Sequence, residues 1–270
     1  MSFPFNPFSI IKNRGKRKLD IILLIIFPIL ATVLSLAFET NYLISTILFF
    51  GLPAAWLSWR NKHAAARAFL LTAVASLPFI FAVDYLAILN GSWHIPQSVF
   101  PARFFGVVPY EDFLWGFLLI YCIIIFYEHL LDKTSKELMN KRMVYFGMTF
   151  GALILAFFVI FFLRPQLLVI KYVYFWIGLF LFLLPSMTFL TLFPRLLSKF
   201  VKTGVYFLLV TFLFEITALQ LGQWNFPSTN FIGWVELFGL RMPFEEFFFF
   251  IILTAVTILC YYEFFDDDRK

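Results

Sequence analysis

Six carboxylates stand where a carboxylate is costly: Asp84, Glu111, Asp112, Glu215, Glu245 and Glu246. Each lies inside or at the edge of a long apolar run. Glu245 and Glu246 are embedded in MPFEEFFFFII, and Glu111 and Asp112 in VPYEDFLW. Carboxyl groups held among apolar neighbours resist ionisation, and a close pair resists it further. A group of that kind donates a proton at neutral pH, while an ionised partner accepts one or steadies a cation. Trp93, Trp115, Trp224, Tyr110 and the Phe247–Phe250 run offer cation–π stabilisation nearby.

A plainer reading competes at each position. Pro109 and Pro243 precede the acidic pairs, and Pro followed by acids is an ordinary helix start, because Pro has no N–H to lose and acids suit the positive helix end. Asp84 and Glu215 lie well inside their apolar runs, in the outer half of the membrane, where an ionisable group is expected to be functional or paired. For them the plain alternative is a protonated carboxyl bonded to a neighbouring helix. Phe toward lipid and Trp at the membrane surface are ordinary too. Asp20, Asp132, Glu137 and Asp266–Asp268 read as helix-end or tail residues, and Glu128 and Glu263 as inner-end residues that water reaches easily.

The elements that must position these acids follow from composition. Hydrophobic residues make up 62% of the 270, against about 45–50% in soluble chains. Charged residues are 14%, against about 25%. A soluble domain is excluded, and long apolar runs without strict alternation select membrane helices over a barrel. Eight windows qualify: about 19–38, 42–59, 67–89, 110–131, 144–163, 170–193, 202–221 and 244–263. With the N-terminus inside, Lys and Arg divide 17 inner to 4 outer, the outer ones being Arg103, Arg164, Lys171 and Arg241. That asymmetry predicts a multi-pass protein of the cell membrane with both termini cytoplasmic. The basic balance is thus a topology signal, not a nucleic-acid surface. Cys122 and Cys260 lie inside apolar runs, which speaks against a disulfide or zinc framework. No cleavable signal peptide is evident in residues 1–18.

The chain also repeats itself. DYLAILNGSWHIP (84–96) parallels EITALQLGQWNFP (215–227), aligning Asp84 with Glu215, Gly91 with Gly222, Trp93 with Trp224 and Pro96 with Pro227. GVVPYEDF (106–113) parallels GLRMPFEEF (239–247) after a one-residue insertion, and Leu52-Pro53 parallels Leu184-Pro185. The expected fold is an all-α integral membrane protein of about eight transmembrane helices, built as two parallel four-helix repeats. The expected divisions are a basic N-terminus 1–18, repeats 19–140 and 141–264, and a tail 265–270.

Cofactor signatures are missing. Neither GxGxxG nor GxxxxGK[ST] occurs. His63, His94 and His129 are scattered, so no metal centre is expected. There is no transmembrane Lys for a Schiff base and no DDxxD in the spans. The Glu245-Glu246 pair lacks the following Arg and helical His residues of intramembrane glutamate proteases.

At the repeated W-x-x-P…P-x-E-[ED] elements the chain resembles the lycopene cyclase family of the small membrane-integral type, which is actinobacterial, archaeal and fungal, heterodimeric or tandem-fused. The resemblance rests on Gly91 and Trp93, Pro109 to Asp112, Gly222 and Trp224, and Pro243 to Glu246. It departs where Asp112 stands opposite Glu246, and Asp84 opposite Glu215. The resemblance implies cyclisation of the linear ψ-ends of a C40 carotenoid, lycopene, to β- or ε-ionone rings without net redox change and without a cofactor. It implies Glu245, Glu246, Glu111 and Asp112 as catalytic acids, with Asp84 and Glu215 supporting. Trp93, Trp224, Trp115, Pro109, Pro243, Tyr110 and Phe244 would bind substrate. Membrane lipid is the expected surrounding, nucleic acid is not a partner, and a homo-oligomer is compatible with the chain. The rival readings are a carotenoid end-group hydratase or isomerase and a small proton-coupled transporter.

Overall fold

The computed structural model describes residues 7–132 and 142–265. Lys133, Lys136 and Lys141, the expected division at 140/141, residues 1–6 and the tail from Asp266 lie outside the described residues.

Helix fills all eight apolar windows. In chain order these are α1 (Pro7–Ala37), α2 (Tyr42–Arg60), α3 (Lys62–Leu89), α4 (Tyr110–Leu130), α5 (Arg142–Leu163), α6 (Val173–Leu192), α7 (Leu197–Gln220) and α8, wound as Glu246–Leu253 and then Thr254–Phe265. By length and composition six of them can cross a membrane: α1, α2, α4, α6, α7 and α8. The 21 residues of α4 rise roughly 31 Å at about 1.5 Å each, matching a hydrocarbon core of about 30 Å. Within α3 and α5 the described apolar stretches are shorter, Ile80–Leu89 and Gly151–Leu163. Ile21, Ile25, Ile29 and Val33 on α1, and Met148, Leu155, Val159 and Phe162 on α5, are exposed. Faces this apolar belong against lipid.

Three features correct the sequence reading. The chain is not wholly helical, because β1 (Arg103–Phe104) pairs antiparallel with β2 (Val108–Pro109), and β3 (Trp234–Leu237) with β4 (Leu240–Pro243). Each ribbon turns through a left-handed pair, Phe105-Gly106 or Phe238-Gly239. Next, α1 begins at Pro7, inside the stretch read as a basic tail. Finally, a 3₁₀ turn at Pro165–Leu168 and a left-handed Tyr172 (φ 55°) delay α6 to Val173 rather than 170.

Three helices contain wide π-turns, which periodicity did not announce: Ile47–Gly51 in α2, Gly178–Leu183 in α6 and Glu246–Leu253 in α8. The first two lie just before Leu52-Pro53 and Leu184-Pro185. Pro cannot donate to the carbonyl four residues back, and a wider turn absorbs the mismatch. Gly178 also lets α8 come close: a Cβ there would stand 2.0 Å from the Phe249 ring.

The loops that follow α3 and α7 share backbone detail. Gly91 and Gly222 are left-handed, with φ 66° and 63°. The next amides, of Ser92 and Gln223, donate to Ala87 O and Ala218 O, each at 2.8 Å. The loops then join: His94 N–H donates to Asn225 O, and Asn225 N–H to His94 O, both at 2.9 Å.

The core lies between the helices, with α3 against α4, α7 against α8 and α1 against α7. Glu263 is buried and Glu128 half-buried, so neither is freely solvated. Arg67 pairs with Glu128 at 2.7 Å, the Tyr262 hydroxyl donates to Glu128, and the Tyr127 hydroxyl donates to Glu263. Asp20 and Asp132 are buried as well. Asp20 binds Arg60 at 2.8 Å and His129 at 2.9 Å, and Asp132 binds Lys199 at 3.2 Å. Buried charges require partners of this kind.

Candidate functional site

Trp93 and Trp224 stand on the two joined loops, 6.1 Å apart between ring centroids, and Trp115 of α4 lies 5.6 Å from Trp93. These three rings wall a cavity of about 160 Å³ between α3, α4, α6, α7 and α8. A void of roughly that size accepts a small hydrocarbon ring. Phe50, Leu119, Phe182, Phe214, Phe250 and Ile251 supply apolar wall, and Tyr262, held by Arg67 and Glu128, lines it too. Asp84 from α3, Glu215 from α7 and Glu246 from α8 all line it.

The three acids are held differently. Trp224 Nε1 donates to Glu215 Oε1 at 3.0 Å. The Tyr174 hydroxyl, from the first turn of α6, donates to Glu246 Oε2. Its ring stacks on Phe250 at 4.5 Å and 19°. Asp84 is 6% exposed, and its Oδ2 has no hydrogen-bond partner among the described residues. Asp84 lies within electrostatic reach of Asp112, and Glu215 within reach of Glu246.

Among the other sequence-selected residues, Trp93, Trp115 and Trp224 line the cavity, whereas Glu111, Asp112 and Glu245 do not. Glu111 Oε1 accepts from the Val99 amide, and Glu245 Oε1 from the Ile232 amide, each at 2.7 Å. Each acid therefore ties its outer loop to the helix that follows. Asp112 is fully buried beside the Tyr42 hydroxyl, and neither of its oxygens has a partner in hydrogen-bond geometry among the described residues. Pro109 and Pro243 are buried at the strand ends and do not line the cavity. Tyr110 is exposed and packs on Phe104 at 4.3 Å, and Phe244 is exposed and stacks on Phe248 at 5.6 Å.

Sequence reasoning passed over the tyrosines. Tyr42 and Tyr174 are 132 positions apart, the same shift that relates Leu52-Pro53 to Leu184-Pro185. That shared shift was the available signal.

Residues 39–130 match the family model described as lycopene cyclase. The range contains Asp84, Trp93, Glu111, Asp112 and Trp115, and Glu215 and Glu246 lie beyond it. No curated protein and no solved structure matches the chain. The matched range is about a third of the chain, and over it the chain is similar to the lycopene cyclase family.

Proposed function

We propose that the protein cyclises the ψ-ends of lycopene to ionone rings, β-rings foremost, by acid–base chemistry that leaves the redox state unchanged. The observation that carries this reading is the meeting of Asp84, Glu215 and Glu246 at one apolar, tryptophan-walled cavity. The family match supports a carotenoid cyclase role. One carboxyl protonates the terminal double bond. The neighbouring double bond attacks the resulting tertiary cation and closes a six-membered ring. A carboxylate then removes a proton, so one proton enters, one leaves and the product is an isomer. The tryptophan faces stabilise the cation, and the apolar wall keeps out water that would trap it as an alcohol. The size of the cavity suits one chain end, with the rest of the polyene lying along lipid. Asp112 serves as a reserve of charge behind Asp84. Glu111 and Glu245 hold the loops.

The same reading takes the chain as a multi-pass membrane protein of two parallel four-helix units with cytoplasmic termini. The eight helix-filled windows support it, as does the reciprocal pairing of His94 with Asn225, which align in sequence. So does the exchange in which Tyr127 bonds Glu263 while Tyr262 bonds Glu128. Two-fold-related units make such crossed pairs. One cavity thus draws acids from both units.

The test is expression in a host that accumulates lycopene, followed by pigment extraction. Ring-bearing carotenoids are expected. Unchanged lycopene, or only hydrated open-chain products, with the protein present in the membrane, would overturn the reading. Reporters near Arg103 and Glu236 should read external, and one fused after Lys270 cytoplasmic.

A further inference from the structure

After ring closure the cation has three kinds of adjacent C–H bond: at the ring carbon bearing the polyene, at the ring CH₂ and at the ring methyl. Losing the proton from the first gives a β-ring, from the second an ε-ring and from the third an exocyclic double bond. Which ring forms is decided by where the accepting oxygen stands. Of the three acids at the cavity, Glu246 is the one bonded to a hydroxyl from a helix other than its own. Its Oε2 accepts from Tyr174, and an oxygen that accepts from a phenol O–H carries no proton of its own in that bond. Fixing Oε2 also fixes where the other oxygen can stand.

Tyr174 is itself rigid. It is 5% exposed, its ring lies flat on Phe250, and the left-handed Tyr172 sets the start of its helix two residues earlier. Phe250 belongs to the same wide-turned segment as Glu246, and Gly178 admits Phe249 of that segment against α6. Glu246 opens one π-wound segment, Tyr174 stands in the turn just before another, and the two π-wound segments pack against each other; π-turns occur often where a helix presents a functional group.

Resting on the cyclase reading, we propose that Glu246 is the proton acceptor and that Tyr174 is the residue that sets which proton it takes, and hence the ring type. The bond between the Tyr174 hydroxyl and Glu246 aims the carboxylate at one C–H, and Tyr174 exchanges no proton with the substrate.

The experiment compares Tyr174→Phe with wild type in membranes supplied with lycopene. Phe keeps the ring stack and removes one oxygen. The expected result is a changed ratio of β-, ε- and exocyclic rings, together with a fall in kcat of about tenfold and a KM within about twofold; each tenfold corresponds to roughly 1.4 kcal/mol. Wild-type ratio and wild-type kcat at normal protein level would overturn the proposal. If Tyr174→Phe fails to accumulate, Glu246→Asp withdraws the carboxyl from the hydroxyl by one methylene. Rings in wild-type ratio and rate from that variant overturn the proposal, and a changed ratio or slowed turnover sustains it. Glu246→Gln separates the two levels of the argument. Rings still formed by Glu246→Gln would sink the catalytic reading beneath, whereas their loss, alongside an unaltered Tyr174→Phe, would sink only the assignment of Tyr174.

Discussion

Two acid clusters adjoin the joined loops of this bundle, and they are built from similar parts with different outcomes. In the second, Glu215 and Glu246 both reach the cavity, and each accepts a hydrogen bond from an aromatic side chain, Trp224 or Tyr174. In the first, only Asp84 reaches it. Asp112 stays behind beside Tyr42, and both residues lack a bond of ordinary geometry among the described residues. Two small differences account for this. Asp84 and Asp112 are each an Asp where the counterpart is a Glu, one methylene shorter. The supporting helices differ as well: α4 is regular, whereas α8 opens into a π-segment at Glu246. Under the two-unit reading, Glu111 and Glu245 are 134 positions apart, but Tyr127 and Tyr262 are 135 apart. The wide turn in α8 is where the added residue is taken up. On that reading, a single insertion and a single methylene separate an acid that lines the cavity from one that does not.

That comparison can be broken first at its strong end. Glu246→Gln and Glu215→Gln should each cut ring formation by about 10²–10⁴-fold, the usual worth of a positioned acid or base. Pigment analysis at matched protein levels is the check, and near-wild-type rings from both variants would return these acids to a structural role.

Asp84→Asn and Asp112→Asn sharpen it. Asp84→Asn should approach the losses just described, because that carboxyl touches the cavity. Asp112→Asn should cost less than about tenfold, or roughly 1.4 kcal/mol. Equal losses at the two positions would mean that both clusters contact substrate.

The third test concerns the loop ties. Glu111→Ala and Glu245→Ala each free a backbone amide, and the loss should be about 1–3 kcal/mol of stability, read as earlier thermal unfolding in detergent. Glu245→Gln keeps an accepting oxygen and should unfold close to wild type. An unchanged unfolding temperature in both Ala variants would show that the loops are held by other contacts.

The smallest effect is expected from Asp112→Glu, which restores the missing methylene without altering α4. Ring yield within about twofold of wild type is predicted, since the backbone winding, not reach alone, keeps this position out of the cavity; twofold is roughly 0.4 kcal/mol. A large gain would assign the asymmetry to side-chain length.

The sequence made legible those features that depend on composition and on punctuation. Apolar runs marked every helix to within about five residues except α1, which starts twelve residues before the expected 19, and Gly, Trp, Pro and acid in one order marked the matching loops. Pro109 and Pro243 marked helix starts, but not the job of the acids after them. Glu111 and Asp112 are neighbours in sequence, yet a helix sends successive side chains about 100° apart, so one meets Val99 and the other meets Tyr42. Tyr174 was hidden for another reason. Its partner Glu246 is 72 positions away, and among so many aromatics one hydroxyl carries no local signal. The ribbons β1–β2 and β3–β4 were too short for alternation to register. The π-turns follow from a packing conflict between Pro and its neighbours, and periodicity blurs such a local change of pitch.

The joining of the two loops has one more consequence, and it concerns which substitutions they tolerate. His94 and Asn225 meet through main-chain N–H and C=O groups alone. Nearly every amino acid offers that same pair of groups. The closure above the tryptophans is therefore indifferent to the identity of the residues that make it. On the two-unit reading, a duplicated ancestor could let one copy drift to His and the other to Asn without loosening this pairing. Side-chain identity matters instead at the acids, where the two units of that reading differ.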